Sequence, residues 1–549
     1  MRVDFVRRRR MLQRFGVLVA GVGAAGFARA LRSPSLPFGP ELCAVPSAFD
    51  TPLTVPGSSS LMGRLAAGGG AVDLVAAARS GTGPRLAFVA RTGTQELINP
   101  LLTVRRGDAV RLKLRNDLDE PTVAHWHGLA VDTANDGNGE TLIAPRSAYG
   151  YAFTVTNRAG LYWYHPHPHG ATASQASRGL FGLLEVGDDE DDALRKALGL
   201  VPGETEIPLV LHERRSASPG TYTPSAEDLL LGWLGDETLV NFTARPYLDV
   251  AARRYRLRIL NATNARNYRL AFRRDDGAPL AFLLIGTDGG LLERAVPCNE
   301  VFLSPAERID VLVDFSGIAP SGYVLLESRA FDPMHALPSQ RAEACSPPSP
   351  CLRGEGRGEG HVMPTPASAS PVGHIADGAP LTLMQLRVRR SAAGAPPLPT
   401  QLVAPFPTVT EAAETRALRL SFAKGRWRIN DRVYEVGETP IVVARDAIET
   451  WLVRNYHTSM PHAMHLHGFH FRVLARETSP EQLAPLVVAD RGRLATDLGW
   501  KDTILIWPGE SVKIAIDFRH RYAGEQTYLF HCHNLEHEDA GMMLRVKVG

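Results

Sequence analysis

The sequence predicts an all-β protein of several domains, and three observations support this. Apolar and charged residues alternate in short segments, as in Val110 to Arg115 and in Val512 to Phe518. Such a period of two marks strands with one buried face. Gly, Pro, Asn and Asp lie between these segments, a pattern typical of antiparallel sandwiches or barrels. The chain has 549 residues, and domains of about 150 residues would give three or four of them.

The composition excludes several classes of protein. The chain carries 60 Lys and Arg against 58 Asp and Glu, a formal charge of +2, so charge-driven binding to nucleic acid is not expected. Apolar residues make up 44% and charged residues 21%, which indicates a globular chain. Five cysteines are too few for a fold built on disulfides.

Residues 1–30 are expected to be an export signal. Four arginines, Arg7 to Arg10, precede an apolar stretch that ends in Ala28-Arg29-Ala30, which is typical of a cleavage site. The arrangement resembles a twin-arginine signal and predicts a periplasmic protein. A membrane anchor is the alternative, but the stretch from Phe15 to Phe27 is shorter than the about 20 residues that a span requires.

Composition also divides the remaining chain. Between residues 338 and 380, 19 of 43 residues are Gly, Pro or Ser, which predicts a flexible insert. The acidic run from Asp188 to Asp192 indicates a second boundary. The expected domains are residues 48–188, 195–335 and 381–549, with the insert at 338–380.

Two of these domains resemble each other. Residues 162–167 (YWYHPH) match residues 528–533 (YLFHCH), and HWHG at 125–128 matches HLHG at 465–468. The first and third domains are therefore expected to be divergent copies of one unit.

Histidines are concentrated in these repeated segments. The pattern His-x-His occurs five times, at 125/127, 165/167, 167/169, 465/467 and 531/533. On a strand, residues i and i+2 face the same side, so each pair offers two imidazoles to one metal or to two neighbouring metals. Buried structural histidines could explain any single pair, but not all the clusters together. Neutral imidazoles are ligands for Cu, Zn, Fe and Ni.

One cysteine indicates which metal is bound. Cys532 lies between His531 and His533, with His537 and Met542 further on. Two imidazoles, a thiolate and a weak axial thioether are the ligands of a blue-copper electron-transfer site. Zinc also accepts thiolate and imidazole ligands, but zinc would leave the other histidine clusters unexplained.

The motifs HWHG, WYHPH, HxxHxHG and HCHxxxHxxxxM follow one another in this order. They resemble the four signatures of multicopper oxidases, and the resemblance covers about residues 48 to 549 apart from the insert. The bacterial branch with laccases, cuprous oxidases and bilirubin oxidases is the most similar. The resemblance implies three cupredoxin-like Greek-key domains. It also implies one-electron oxidation of small reductants, coupled to four-electron reduction of O₂ to water.

The resemblance further implies four copper ions. The type 1 (blue) copper would take His462, Cys532, His537 and the axial Met542. The type 2 copper would take His125 and His465. One type 3 copper would take His127, His165 and His533, and the other His167, His467 and His531. His169 follows the second motif closely and is expected to be structural.

The domains are expected to differ in the metals they bind. The first domain has Pro166 and Thr122 where the third has Cys532 and His462, so it cannot form a blue site. The second domain has only His212 before its C-terminal edge and is expected to be a metal-free spacer. A three-copper cluster shared by the outer domains is therefore predicted.

Two carboxylates resemble the proton relays of the family. Asp136 follows His125 by eleven residues, and Glu538 follows His537 directly. A positioned carboxylate can transfer protons to a reacting group. The alternatives are that Asp136 is a turn residue and that Glu538 is a solvated or structural carboxylate.

The sequence leaves the reductant open between phenols or aromatic amines and Cu(I). Thr458 stands where cuprous oxidases have Asp, and the insert region has only Met334 and Met363, which disfavours Cu(I). Alternatives are a copper-resistance protein without turnover and a metal-free structural protein of the same fold. The complete set of ligand positions disfavours the metal-free protein, and the motif His531-Cys532-His533, which connects the two kinds of site, disfavours the copper-resistance protein. The expected partners are O₂ and a small reductant, without nucleic acid or stable membrane insertion, and the chain is expected to be a monomer.

Overall fold

A computed structural model describes residues 49–81, 83–335, 374–392, 396–407 and 414–549. Three domains follow one another, each with two packed sheets around its own apolar core. The all-β prediction is therefore confirmed. The expected export signal and residues 338–373 of the insert lie outside the described residues. In the described part of the chain, no helix is long and apolar enough to cross a membrane.

The first domain packs the five-stranded sheet β2-β6-β11-β10-β8 against the five-stranded sheet β5-β4-β3-β7-β9. The strands up to its end are β1 (Thr51–Pro52), β2 (Arg64–Ala66), β3 (Ala71–Ala78), β4 (Leu86–Thr92), β5 (Gln95–Ile98), β6 (Leu101–Arg105), β7 (Ala109–Asn116), β8 (His125–His127), β9 (Ala148–Thr154), β10 (Gly160–His165) and β11 (Gly182–Gly187). Its helices are α1 (Thr133–Asp136) and α2 (Thr172–Ser177). Burial alternates along β7, as the period of two in its sequence predicts.

The second domain packs two seven-stranded sheets. Helix α3 (Asp189–Leu198) leads into it, and helix α4 (Ala226–Leu231) lies within it. Its strands are β12 (Glu206–Arg214), β13 (Glu237–Val240), β14 (Thr243–Ala244), β15 (Pro246–Ala252), β16 (Arg254–Asn261), β17 (Tyr268–Arg274), β18 (Pro279–Leu280), β19 (Phe282–Thr287), β20 (Gly290–Cys298), β21 (Glu300–Leu303), β22 (Arg308–Asp314), β23 (Tyr323–Ser328) and β24 (Leu381–Ser391). One sheet has the order β14-β13-β12-β16-β22-β19-β20, and the other has the order β1-β15-β24-β23-β17-β18 with β21 beside β17.

The third domain packs the six-stranded sheet β26-β25-β28-β33-β30-β31 against the five-stranded sheet β27-β35-β34-β29-β32. Its strands are β25 (Glu414–Ala423), β26 (Arg426–Ile429), β27 (Ile441–Val443), β28 (Ile448–Asn455), β29 (His462–Leu466), β30 (Phe471–Glu477), β31 (Trp500–Lys501), β32 (Thr503–Ile506), β33 (Ser511–Asp517), β34 (Gln526–Cys532) and β35 (Met543–Val548). Two 3₁₀ helices (Glu481–Leu486 and Ala495–Leu498) and helix α5 (Leu535–Asp539) complete it.

Strand β24 lies in the second domain, although the sequence boundaries assign residues 381–391 to the third. It pairs with β15 on one side and with β23 on the other. The alternating sequence LTLMQLRV suits a half-buried strand in either domain. Only the long-range pairing therefore decides to which domain β24 belongs. Strand β1 likewise pairs with β15. The second domain therefore also includes a strand that precedes the first domain in the sequence.

A buried ion network lies where α3 follows the first sandwich, and it reaches β11 of the first domain through Glu185, whose carboxylate lies 3.4 Å from the Arg258 guanidinium. The guanidinium groups of Arg256 and Arg258 lie 2.8 and 2.9 Å from Asp191, and both side chains are fully buried. Burial alone would raise the pKa of Glu206, but Arg258 and Arg256 lower it to about 2. This carboxylate therefore stabilises the fold above its ordinary pKa of 4.5, and the contribution is lost as the pH falls towards 2.

Replacing Arg258 with Met should lower the free energy of unfolding by about 3–5 kcal/mol, because buried carboxylates lose their partner. Denaturant unfolding of the copper-free protein, followed by tryptophan fluorescence, measures this change. Arg389→Met is the control, since Arg389 pairs with Asp249 at 52% side-chain exposure and should change stability by less than about 1 kcal/mol. Equal effects of the two substitutions would contradict a structural role for the network.

Candidate metal centre

Pairs of neighbouring strands in the outer domains bring the histidine motifs together. In the first domain β8 pairs with β10, and His125 lies opposite His165. In the third domain β29 pairs with β34, and His465 lies opposite His531. The same antiparallel pairing therefore presents His-x-His motifs from both domains, as expected for two copies of one unit.

The histidines of the two domains meet in one buried cluster. The Nε2 atoms of His467 and His531 are 3.0 Å apart, and those of His167 and His531 are 3.4 Å apart. Together, His167, His467 and His531 offer three nitrogens within 4.8 Å of one another. Atom His165 Nε2 lies 3.4 Å from His127 Nδ1. The structure thus brings first-domain and third-domain histidines to one place.

Several ring nitrogens in this cluster have no hydrogen-bond partner in the described structure. They are His125 Nε2, His465 Nε2 and both ring nitrogens of His533. The ring of His533 lies 5.1 Å from the rings of His127 and His165, and the rings of His125 and His465 are 5.8 Å apart. Buried polar atoms are normally paired, so these nitrogens fit bound metal ions.

Burial also keeps the imidazoles in the neutral form that binds a metal. It lowers the pKa well below the ordinary value for His125, His127, His165, His167, His462, His467, His531 and His533. Burial likewise lowers the pKa of His537 to about 3. These rings are therefore uncharged at neutral pH and have free lone pairs.

A second group surrounds the cysteine of the third domain. Atom Cys532 Sγ lies 3.5 Å from His462 Nδ1 and 3.6 Å from His537 Nδ1. Strand β34 carries Cys532 and helix α5 carries His537, while Met542 is fully buried just before β35. Burial raises the pKa of the Cys532 thiol to about 12, so a metal cation is needed to hold the thiolate that coordinates it. This donor set fits copper.

The two predicted carboxylates both touch the histidine cluster. Atom Asp136 Oδ2 lies 2.9 Å from His467 Nδ1, and the Asp136 carbonyl lies 2.7 Å from His125 Nδ1. The carboxylate oxygens of Glu538 lie 3.4 Å from His167 Nε2 and 3.3 Å from His531 Nδ1. Burial raises the pKa of both Asp136 and Glu538 well above the usual range.

A third carboxylate, Asp502, was missed by the sequence analysis. Its Oδ1 atom lies 3.0 Å from His127 Nε2, and its carbonyl lies 2.8 Å from His465 Nδ1. Arg308 of the second domain donates two hydrogen bonds to it, at 2.8 and 2.6 Å. Burial alone would raise the pKa of Asp502, but Arg308 and His127 hold it well below the usual range. Asp502 therefore remains charged, and its carboxylate and its carbonyl fix the orientation of the His127 and His465 rings.

Two histidines for which the sequence predicts no metal lie outside the groups of residues that could bind a metal ion. The ring of His169 packs 5.3 Å from Tyr434. His212 lies in the second domain beside Phe181, with its Nδ1 atom 3.3 Å from the carbonyl of Ala262. Neither belongs to a set of ligand atoms close enough to hold an ion among the described residues.

Known proteins of similar sequence and structure share this architecture. Two multicopper oxidase family models match residues 90–191 and 407–549. The solved McoA multicopper oxidase of Aquifex aeolicus is 30% identical, covering 91% of this chain and 99% of that chain with a TM-score of 0.76. The multicopper oxidase mco of Staphylococcus aureus is 27% identical over 82% of each chain. The cell division protein FtsP of Xenorhabdus nematophila is 28% identical over 81% of this chain and 82% of that protein.

Three sandwiches with neutral imidazoles at the junction of the outer two, beside a buried Cys–His site, define a copper-dependent oxidoreductase. The chain belongs to the multicopper oxidase family. The predicted oxidase function and the cupredoxin-like fold are thereby confirmed.

Replacing Asp502 with Asn should weaken copper binding at the histidine cluster by about 10- to 100-fold, because the His127 ring loses the charged group that orients it. Copper per chain, measured after equilibration with graded chelator concentrations, tests this. Asp189→Asn is the control, because it also removes a carboxylate paired with an arginine, Arg105, but at the surface. Unchanged copper retention in the Asp502 variant would refute the orienting role.

Proposed function

We propose that the chain binds four copper ions and couples one-electron oxidation of small reductants to reduction of O₂ to water. The observation that carries this proposal is the position of Cys532. Its thiol lies between two imidazoles of the blue site, while the adjacent His531 and His533 lie in the histidine cluster. One residue therefore connects the two sites through the backbone. Copper in the first site would accept single electrons, and copper in the cluster would reduce O₂.

The proposed ligand sets follow the family motifs. The blue copper takes His462, Cys532, His537 and Met542. The other three ions take His125 with His465, then His127, His165 and His533, and finally His167, His467 and His531. Two of these sets, His462–Cys532–His537 and His167–His467–His531, coincide with groups of ligand atoms within 4.8 Å, which supports the assignment.

Reduction of one O₂ to two waters consumes four electrons and four protons, so the chain must supply protons inside a buried site. Asp136 and Glu538 are the proposed carriers. Glu538 touches His167 and His531, and Asp136 touches His467. Burial raises the pKa of both carboxyls, which favours a protonated acid that can donate. Asp502 stays ionised beside Arg308 and is therefore proposed to orient ligands.

The proposed setting is the periplasm, with the N-terminal segment as an export signal and the protein acting as a monomer. Phenols, aromatic amines and Cu(I) are the proposed reductants. The similarity to FtsP raises the alternative of a non-catalytic role. The complete set of buried ligand positions in this chain supports the catalytic one.

Replacing Cys532 with Ser should abolish the blue colour and lower the copper content by one ion per chain, because a hydroxyl replaces the thiolate ligand. Absorption spectra and metal analysis of the loaded protein measure both changes. Oxygen uptake with a phenol should also stop. A colourless wild-type protein with its full copper content would contradict the assignment of the blue site.

Replacing His533 with Ala should leave the blue colour but stop oxygen uptake, because the cluster loses a ligand while the blue site keeps all of its own. Oxygen-electrode assays alongside absorption spectra separate the two effects. His169→Ala is the matched control, since it removes an imidazole that packs on Tyr434. Oxygen uptake that persists in the His533 variant would refute the shared cluster.

A further inference from the structure

A cavity of about 290 Å³ lies between the second and third domains. Its second-domain wall is formed by residues 297–302, where β20 leads into β21, and by Arg329 just after β23. Its third-domain wall lies within residues 485–496, the segment between the two 3₁₀ helices. Among the described residues that line it, none is a proposed copper ligand. The cavity is therefore separate from the two metal sites.

The wall of this cavity is largely apolar. Phe302 and Leu494 are buried residues that line it, one from each domain. Val488 also lines it and is 45% exposed, so this residue lies at the mouth. Small-molecule sites are mostly apolar clefts of about 300 Å³ or more that contain a few polar groups. The shape and lining of the cavity thus suit a ligand with one aromatic ring.

The charged groups at the cavity favour an anionic ligand. Glu300 and Arg329 line it, and Arg329 Nη1 lies 2.7 Å from Glu300 Oε2. The same carboxylate also accepts from Arg269 Nε at 3.1 Å. Two guanidinium groups therefore share one carboxylate, which leaves a net positive charge. The Arg329 side chain is 53% exposed, and a guanidinium has five N–H donors. Arg329 can thus pair with a ligand carboxylate as well as with Glu300.

An aromatic contact leads from the cavity towards the blue site. The ring of Phe302 packs 5.1 Å from the ring of Trp507, which is fully buried. Trp507 follows Ile506, the last residue of β32, and Ile506 lies opposite His462 where β32 pairs with β29. An electron that passes from Phe302 to the blue-site ligand His462 therefore crosses one contact between rings and one pair of neighbouring strands.

We infer that this cavity binds aromatic carboxylates and is a place at which phenolic acids reduce the blue site. The ring of the acid packs on Phe302 and Leu494, and its carboxylate pairs with Arg329. The part of the inference that concerns electron transfer rests on the proposed function. In each transfer the phenolic acid gives one electron to the blue site, through Phe302 and Trp507, and its phenol proton to solvent at the mouth of the cavity.

Calorimetric titration of the copper-free protein tests the binding step. Benzoate should bind at least about fivefold more tightly than benzamide, its neutral analogue, because only benzoate can form a charged pair with Arg329. Arg329→Gln should abolish this difference. Equal affinities of the wild-type protein for the two compounds would overturn the proposal. This measurement needs no copper and is therefore independent of whether the proposed function is correct.

Anaerobic bleaching of the blue colour tests the electron transfer. Two reductants are compared, syringate, a phenolic acid, and dimethoxyphenol, which lacks the carboxylate. Arg329→Gln should lower the rate with syringate, relative to that with dimethoxyphenol, at least about fivefold, because the acid loses its charged partner. Arg273→Gln is the matched control, since Arg273 also pairs with a glutamate, Glu327, at 2.7 Å and is 39% exposed, but does not line the cavity. It should leave the ratio of rates unchanged.

A second pair of variants tests the cavity itself. Val488→Trp places an indole at the mouth and should weaken benzoate binding and slow bleaching by syringate by similar factors. Val487→Trp is the control, because Val487 is 41% exposed but does not line the cavity. Both positions lie at the surface, so the variants should fold.

The outcomes separate the two proposals. Weaker benzoate binding with unchanged bleaching by syringate, in the Arg329 or the Val488 variant, would refute the role of the cavity in electron transfer. A protein without blue colour in every variant would refute the proposed function, while the copper-free titrations would still show whether the cavity binds aromatic carboxylates.

Discussion

The assembly of the three domains depends on the contacts of the buried Asp502 carboxylate. It is a fully buried charge, and such a charge is tolerated only when partners compensate it. Those partners come from different domains, with Arg308 from the second and His127 from the first. A copper-binding cluster that forms around this carboxylate therefore requires all three domains in place. The second domain, which was expected to be a spacer, supplies the compensating cation.

Burial keeps the imidazoles neutral and able to bind a metal ion. In the metal-free protein, however, the same burial is unfavourable for folding. The Nε2 atoms of His125 and His465 and both ring nitrogens of His533 have no partner in the described structure, and each unpaired buried group costs about 1–3 kcal/mol. Stability given up here must be supplied elsewhere, for example by the buried arginines Arg256 and Arg258. Binding of copper to the native state would return stability by mass action.

The sequence predicted the local features well, because they have a local cause. The period of two in β7 and the His-x-His pattern in β8 follow directly from strand geometry. Asp502 escaped prediction because its partners Arg308 and His127 are distant in sequence. The membership of β24 in the second domain and the seating of α4 over His537 are likewise decided by long-range packing, which no short pattern encodes.

The shared cluster has a consequence for how the protein is made. His167 and His531 lie 364 residues apart along the chain, so a ribosome completes the first half of the cluster long before the second half exists. During that interval the first domain presents histidines that could capture a metal ion in an incomplete site. Correct loading is therefore a late event, in which the order of synthesis, domain docking and metal delivery matters as much as affinity.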